Sequence, residues 1–347
     1  MTDVRRIAGP GDGPDGAPLA IALSPILSAR YRPRDFEVIR AAAPTARVVQ
    51  VSVEGLADGS LDDVEVLLRG VITAEAFDRI LARAPRLRWV HSASAGVERV
   101  LTPLSRDRGI VITNARGVFS RPIAEYVMLM ILAVSRRLPQ LLELQRERTW
   151  QPLEARELRD VTVGIVGLGS IGRAVAALAT AFGCRVIALR RTPGPASEAG
   201  HGPDRIELER LLGPDELPAL LEASDFVVLA APLTPDTENM IDEAALATMK
   251  RDAWLINIAR GRLVDDRALI RALDANKIGG AVLDAFRDEP LAPSSPYYDL
   301  PNVILTPHTS WSSGRVLDRS VELFADNLRR YAGGQELLNV VDPSAGY

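Results

Sequence analysis

From residue 162 onward, short apolar runs of strand length alternate with stretches of helical periodicity, and the first run leads straight into Gly167-Leu168-Gly169-Ser170-Ile171-Gly172. The runs stand at 162–166, 185–189, 226–230, 253–258, 280–283 and 303–305, with helical stretches at 171–182, 217–223, 243–249 and 265–275 between them. Apolar strands that alternate with helices are buried on both faces, which a parallel sheet covered on both sides provides. The chain is therefore expected to be α/β, with doubly wound parallel sheets. A shorter alternation precedes this set, with strands at 19–23, 48–51, 64–68, 89–91 and 111–113 and a helix exit into a strand at 85–90. It reads as a second, small α/β domain, and 347 residues suffice for two good cores.

Between the two sets, residues 121–148 read as one long helix with Pro122 in its first turn, where a missing N–H costs little. Ile123, Val127, Met130, Ile131 and Val134 recur at helical spacing, a stripe that fits core or subunit packing. Residues 316–331 form a last amphipathic helix that ends at Gly333-Gly334, and 338–341 is expected to return to the first domain. Residues 1–18, rich in Gly, Pro and Asp, are expected to be disordered.

The glycine motif follows an apolar strand and opens a helix, the context its mechanism needs. Gly167 permits a tight turn, Gly169 lets the backbone approach a pyrophosphate, and Gly172 allows close helix–strand packing. The helix N-terminus at Ser170 and Ile171 supplies N–H donors and positive potential. In NAD-binding sites an acidic residue at the end of the second strand accepts from the ribose hydroxyls. Here that strand ends in Arg190-Arg191-Thr192, with no carboxylate. Two guanidiniums and a hydroxyl suit a 2′-phosphate, so NADP(H) is favoured over NAD(H). Ligands of open α/β sheets bind outside the strands' carboxyl ends. Ala231 and Pro232 after the third strand, with Thr237 nearby, and Ile258 and Ala259 after the fourth are therefore placed on the cofactor cleft.

Three chemically distinct groups follow at the same edge. Arg260 ends one strand in Asn257-Ile258-Ala259-Arg260-Gly261, and an arginine can clamp a carboxylate with two parallel hydrogen bonds. Asp284 ends the next and could accept from a nicotinamide carboxamide; a turn role is its plainer reading. Glu289 stands in Asp288-Glu289-Pro290, and His308 ends the last strand in Thr306-Pro307-His308. A histidine can give a proton to a developing alkoxide near neutral pH, and a carboxylate behind it can fix its tautomer. These are the group types that reduction of a 2-keto acid requires. In the first domain, the small residues Ser94-Ala95-Gly96 would expose backbone N–H groups to a substrate carboxylate, while His91 reads as structural and His201 as a loop residue without a role.

Bulk composition narrows the alternatives. Hydrophobic residues make up 47% and charged residues 25%, as in an ordinary globular chain, and a net charge of −4 implies no large nucleic-acid surface. Lys250 and Lys277 are the only lysines in an arginine-rich chain. Cys184 is the single cysteine, so no intramolecular disulfide can form, and with three histidines a structural zinc site is not expected. Arg5-Arg6 ahead of the apolar run 19–23 is interrupted by Gly and Pro and does not make an export signal. The longest apolar stretch, 126–134, is far short of a membrane span, so a cytoplasmic protein without membrane partners is expected.

In the combination of the glycine motif after a strand, Asn257 to Gly261, Asp288 to Pro290 and Thr306 to His308, the chain resembles the D-isomer-specific 2-hydroxyacid dehydrogenase family over about residues 48–342. The resemblance implies two Rossmann-like domains, with a dinucleotide-binding domain (121–312) inserted into a substrate domain (19–120 and 313–347). It implies an active site in the cleft between them and a homodimer whose interface draws on 121–148. It assigns Arg260 as substrate clamp, Glu289 as partner of the catalytic histidine and His308 as proton donor. The loop Ser94-Ala95-Gly96-Val97 becomes the holder of the substrate carboxylate, and Trp311 a wall of its pocket. NADP-using glyoxylate and hydroxypyruvate reductases are the members whose cofactor site resembles Arg190-Arg191-Thr192. Position 289 is glutamate, not the glutamine of formate dehydrogenases, and Tyr126 stands where many relatives carry histidine. The regulatory extension of long phosphoglycerate dehydrogenases is not expected. The expected activity is reduction of a 2-keto acid to a D-2-hydroxy acid. A dinucleotide-sensing corepressor-like protein, or a dehydrogenase for an unusual substrate such as phosphite, are the other readings.

Overall fold

The computed structural model describes residues 18–26, 31–191 and 206–343; Thr192, His201 and the tail 1–17 lie outside them. In chain order the first elements are β1 (Ala20–Leu23), α1 (Pro33–Ala42), β2 (Arg47–Gln50), β3 (Val64–Arg69), α2 (Ala74–Arg83), β4 (Trp89–Ser92), α3 (Pro103–Asp107) and β5 (Val111–Asn114). Next come α4 (Ser120–Ser135), α5 (Leu138–Arg146), β6 (Thr162–Val166), α6 (Ser170–Ala181), β7 (Arg185–Leu189), β8 (Arg210–Leu212), α7 (Leu217–Ala223) and β9 (Phe226–Leu229). The chain closes with α8 (Glu243–Thr248), β10 (Trp254–Asn257), α9 (Asp266–Asp274), β11 (Gly280–Leu283), β12 (Val303–Leu305) and α10 (Val316–Ala332). Contacts divide the chain into two compact units, one of residues 1–119 and 313–347 and one of 120–312.

The first unit holds a five-stranded sheet in the order β2-β1-β3-β4-β5, every pair parallel. Its strands are nearly continuous apolar runs because both faces are covered. On one face Trp89 is wholly buried, stacked on Phe324 of α10 at 5.6 Å and packed by Tyr331 at 5.4 Å. Each such ring pair adds about 1 kcal/mol beyond its buried area. His91, also wholly buried, bonds Thr113 Oγ1 through Nδ1 at 2.7 Å, and Trp89 Nε1 donates to the same hydroxyl at 2.9 Å. The C-terminal segment returns to this unit as expected. Asn114 N donates to Asn339 O, Val341 N donates to Ile112 O, and Thr113 pairs antiparallel with Val340.

The second unit holds a seven-stranded sheet in the order β12-β11-β10-β9-β6-β7-β8, again all parallel. β9 and β7 flank β6 on opposite sides, so the strand order reverses at β6, the switch point where open α/β sheets bind ligands. The edge strand β8 is three residues long and carries no readable apolar run, which is why the sequence shows no sign of it.

One expectation fails. Residues 121–148 are not one helix but two, α4 and α5, broken at Arg136 and Arg137, where Arg137 turns left-handed with φ +59°. Pro139 accounts for the break. It has no N–H for the carbonyl of Ser135, and its ring would strike that carbonyl in a continuous helix. The Ser135 carbonyl accepts from Arg156 N at 3.0 Å instead.

Candidate active site

β12 delivers the chain to Thr306-Pro307-His308, and His308 takes a left-handed backbone conformation with φ +48°. Its Nδ1 lies 3.0 and 2.9 Å from the two carboxylate oxygens of Glu289. Glu289 Oε1 also accepts from Phe286 N at 3.0 Å, so the acid is held from its own loop. A ring nitrogen that faces a carboxylate carries the hydrogen, which leaves Nε2 as the nitrogen that can exchange a proton. Both side chains are about one-third exposed, at 37% each, open enough for a reacting molecule to reach.

A non-glycine residue at positive φ needs its surroundings to hold it. His308 N donates to Thr306 O at 2.9 Å, and the indole Nε1 of Trp311 donates to His308 O at 2.7 Å. Asp284 holds the next two residues. Its Oδ1 accepts from Thr309 N at 2.8 Å and its Oδ2 from Ser310 N at 2.9 Å. Thr306 Oγ1 adds a third bond at 2.6 Å, and Tyr126 Oη lies 2.6 Å from Thr306 Oγ1. Asp284 is 0% exposed, so as found it braces the histidine turn rather than presenting itself to a carboxamide. Trp311, partly exposed, holds the same turn through its Nε1 bond to His308 O. Neither Thr306 nor Tyr126 carries a role from sequence, because the contact between them spans 180 positions.

The arginine loop is built by its neighbours. Asn257 ends β10 and folds its amide onto the turn, accepting from Ala259 N at 3.1 Å and donating to Arg260 O at 2.9 Å. Such a side-chain closure is how Asn stabilises a turn. Arg260 is then extended, with its Nη1 bonded to Ala259 O at 2.7 Å. A Cβ on Gly261 would lie 2.0 Å from the carbonyl carbon of Phe286. Only glycine lets the Arg260 loop pass so close to the loop that carries Glu289. The arginine, the glutamate and the histidine thus leave neighbouring strands of one sheet, β10, β11 and β12, at the same edge.

At the switch point, Gly167 has φ +102°, and a Cβ there would meet Ala231 N at 2.6 Å. A Cβ on Gly172 would meet Gly167 O at 2.0 Å, whereas one on Gly169 would meet nothing within 4 Å. α6 starts at Ser170 with no side chain capping it, so the N–H groups of Ser170 and Ile171 and the open face of Gly169 form a cradle of the kind a pyrophosphate fills. Arg190 and Arg191 follow β7 directly. Ala231 is buried beside Gly167, and Pro232 follows it. Thr237 Oγ1 donates to Pro232 O at 2.7 Å and accepts from Thr234 N, so it fastens that loop. Ile258 and Ala259 are buried at the end of β10. The residues present fit a dinucleotide.

In the other unit, the Ser94–Val97 loop turns its carbonyls inward. Ser94 O accepts from Ala115 N, Ala95 O from Asn114 Nδ2, Gly96 O from Ser94 Oγ, and Val97 O from Val100 N and Leu101 N. Among the described residues no partner takes the N–H groups of Ser94, Ala95, Gly96 or Val97. Such a row of free donors suits an anion. Arg69, which the sequence reading passed over, lies 4% exposed at the end of β3. It donates to Ile72 O at 2.7 Å, and its carbonyl takes Ala93 N just ahead of the loop. Burial first, then the charge of Arg99, pushes it down to about 10. An arginine closing the apolar run Val64-Glu65-Val66-Leu67-Leu68 was the available signal.

Among the described residues no helix is long and apolar enough to cross a membrane. The sequence profile described as "D-isomer specific 2-hydroxyacid dehydrogenase, NAD binding domain" matches residues 128–310. The chain is 35% identical over 307 residues to a glyoxylate reductase of Korarchaeum cryptofilum, covering 87% of each. Its fold matches a D-isomer specific 2-hydroxyacid dehydrogenase of Xanthobacter autotrophicus Py2 solved with NADPH and MES, at TM-score 0.80 and 31% identity, covering 95% of this chain and all of that one. It also matches an NADPH-dependent glyoxylate/hydroxypyruvate reductase of Sinorhizobium meliloti solved with NADP and sulfate, at TM-score 0.78 and 29% identity, with coverage of 95% and 100%.

Proposed function

Because the chain belongs to the D-isomer specific 2-hydroxyacid dehydrogenase family, NAD(P)-dependent oxidoreductases of CH–OH groups, we propose that it reduces a small 2-keto acid of the glyoxylate or hydroxypyruvate kind to a D-2-hydroxy acid with NADPH. The observation that carries this reading is the His308–Glu289 pair, both carboxylate oxygens on Nδ1, standing on the same sheet edge as Arg260.

The cradle at Gly169, Ser170 and Ile171 would hold the pyrophosphate, and Arg190 and Arg191, at the strand end where the sequence has no acidic residue, would read a 2′-phosphate. When bound, the nicotinamide supplies the hydride for the keto carbon. Arg260 grips the substrate carboxylate with its planar fork. His308, its Nδ1 fixed by Glu289, gives the proton on Nε2 to the carbonyl oxygen as charge develops there. Most of the rate enhancement then comes from holding these groups in place. The protein works as a homodimer in this reading. Leu129 of α4, Leu138, Leu141 and Leu142 of α5, and Trp150, which is 100% exposed, are large apolar side chains left in contact with solvent, and an interface would cover them. Sedimentation at micromolar concentration is expected to give twice the chain mass, and Leu142→Asp to halve it.

The decisive assay follows loss of NADPH and of NADH absorbance in parallel with glyoxylate, hydroxypyruvate, pyruvate and phenylpyruvate. Turnover with NADPH well above NADH, strongest with the first two acids, is the expected result. Equal turnover with NADH would make Arg190 and Arg191 ordinary surface residues. No turnover with any of these acids would overturn the substrate class.

A further inference from the structure

Three bonded side chains run behind the histidine turn. Asp284 takes Thr309 N on Oδ1 and Ser310 N on Oδ2, so both of its oxygens act as acceptors. Thr306 has one hydroxyl hydrogen, and Asp284 Oδ1 at 2.6 Å uses it. The 2.6 Å contact of Tyr126 with Thr306 Oγ1 therefore has one possible sense: the phenol donates. Burial first, and then the charge of Asp284, push the Tyr126 phenol up to about 12 against the pull of its bond to Thr306, so it keeps that hydrogen through the neutral range.

The order of bonds is thus Tyr126 to Thr306 to Asp284 to the backbone of Thr309 and Ser310, the two residues after His308. Tyr126 lies on α4, anchored in the unit's core by its neighbours Val127 and Ile123, both buried. Thr306 precedes the turn and Asp284 closes it from behind. We propose that Tyr126 is a positioning residue for His308, its hydroxyl fixing through Thr306 and Asp284 the left-handed turn that aims the imidazole at Glu289 on one side and at substrate on the other. This rests on the reading of His308 as proton donor. A tyrosine at this point gives the helix a hand on the catalytic turn that a shorter or apolar side chain could not extend to Thr306.

The test uses the full chain with Tyr126→Phe, Thr306→Val, Thr306→Ser and the Tyr126→Phe/Thr306→Val double variant. Tyr126→Phe is expected to lower kcat about tenfold while the KM for NADPH stays within about twofold, since a misaimed donor loses rate rather than cofactor binding. Thr306→Ser keeps the hydroxyl and should stay close to wild type. The double variant should lose no more than Thr306→Val alone, because both changes cut one chain of bonds. In parallel, the His308 Cε1–H signal, identified by its disappearance in His308→Gln, should move or broaden in Tyr126→Phe. Wild-type kcat with an unmoved His308 signal in Tyr126→Phe, or losses that multiply in the double variant, would overturn the proposal. If the unaltered protein turns over no 2-keto acid, the proposed function fails, and the His308 signal in Tyr126→Phe still decides whether the brace exists.

Discussion

A left-handed backbone at an L-residue costs about 1–2 kcal/mol. At His308 it is offset by the bonds that surround it: one from its own N–H, one to its carbonyl from Trp311, and two from the following N–H groups to Asp284. At about 1 kcal/mol net each, these outweigh the strain, and Glu289 on Nδ1 holds the ring. The imidazole is then a fixed donor rather than a swinging one, and substitutions should separate its chemistry from its fold. His308→Gln is expected to lower turnover about a thousandfold, the usual share of a general acid, with NADPH affinity by fluorescence titration unchanged. Retained turnover would remove His308 from the role. Glu289→Gln should cost less, since an amide can still accept from Nδ1 but no longer stabilises the protonated ring.

β6, the glycine loop and α6 act as one element, and its glycines are not equivalent. A Cβ at Gly167 meets backbone, and its φ of +102° is closed to side chains, so Gly167→Ala should lower the melting temperature of the second unit by several degrees. A Cβ at Gly169 meets nothing within 4 Å, so Gly169→Ala should melt like wild type while binding NADPH at least about tenfold more weakly. Equal affinity in that variant would move the pyrophosphate elsewhere. The roles of these positions were legible because each follows from backbone geometry that a strand, a turn and a helix impose locally. Strand positions were legible for a similar reason: buried parallel strands are unbroken apolar runs. What escaped was non-local. The proline that breaks 121–148 stands in the sequence, but the partner that takes the freed Ser135 carbonyl, Arg156 N, does not show there. The occupation of Asp284 depends on a loop more than twenty residues later folding back onto it. β8 is held by its neighbour β7 rather than by any pattern of its own.

Over the whole molecule, acid should act first through the core of the first unit. Burial pushes His91 down to about 3, while in an unfolded chain it titrates near 6.5. Between those values the unfolded chain binds a proton that the folded one refuses, so stability falls as pH falls, by about 1.4 kcal/mol per pH unit. Above pH 6.5 or so both forms are neutral and this dependence vanishes. Thermal melts from pH 7 to pH 4 are expected to show that slope, and His91→Gln to flatten it; an identical slope would place the acid-sensitive group elsewhere. The same core carries a consequence for how the protein is made. The sheet that holds Trp89 is complete by residue 114, yet its cover, Phe324 and Tyr331, belongs to α10. A ribosome moving along the message therefore releases the entire second unit, a continuous segment, while the Trp89 face of the first has α1 but not α10 to cover it. The strands of this sheet must wait for α10, and during that interval their half-covered face is where a chaperone would bind.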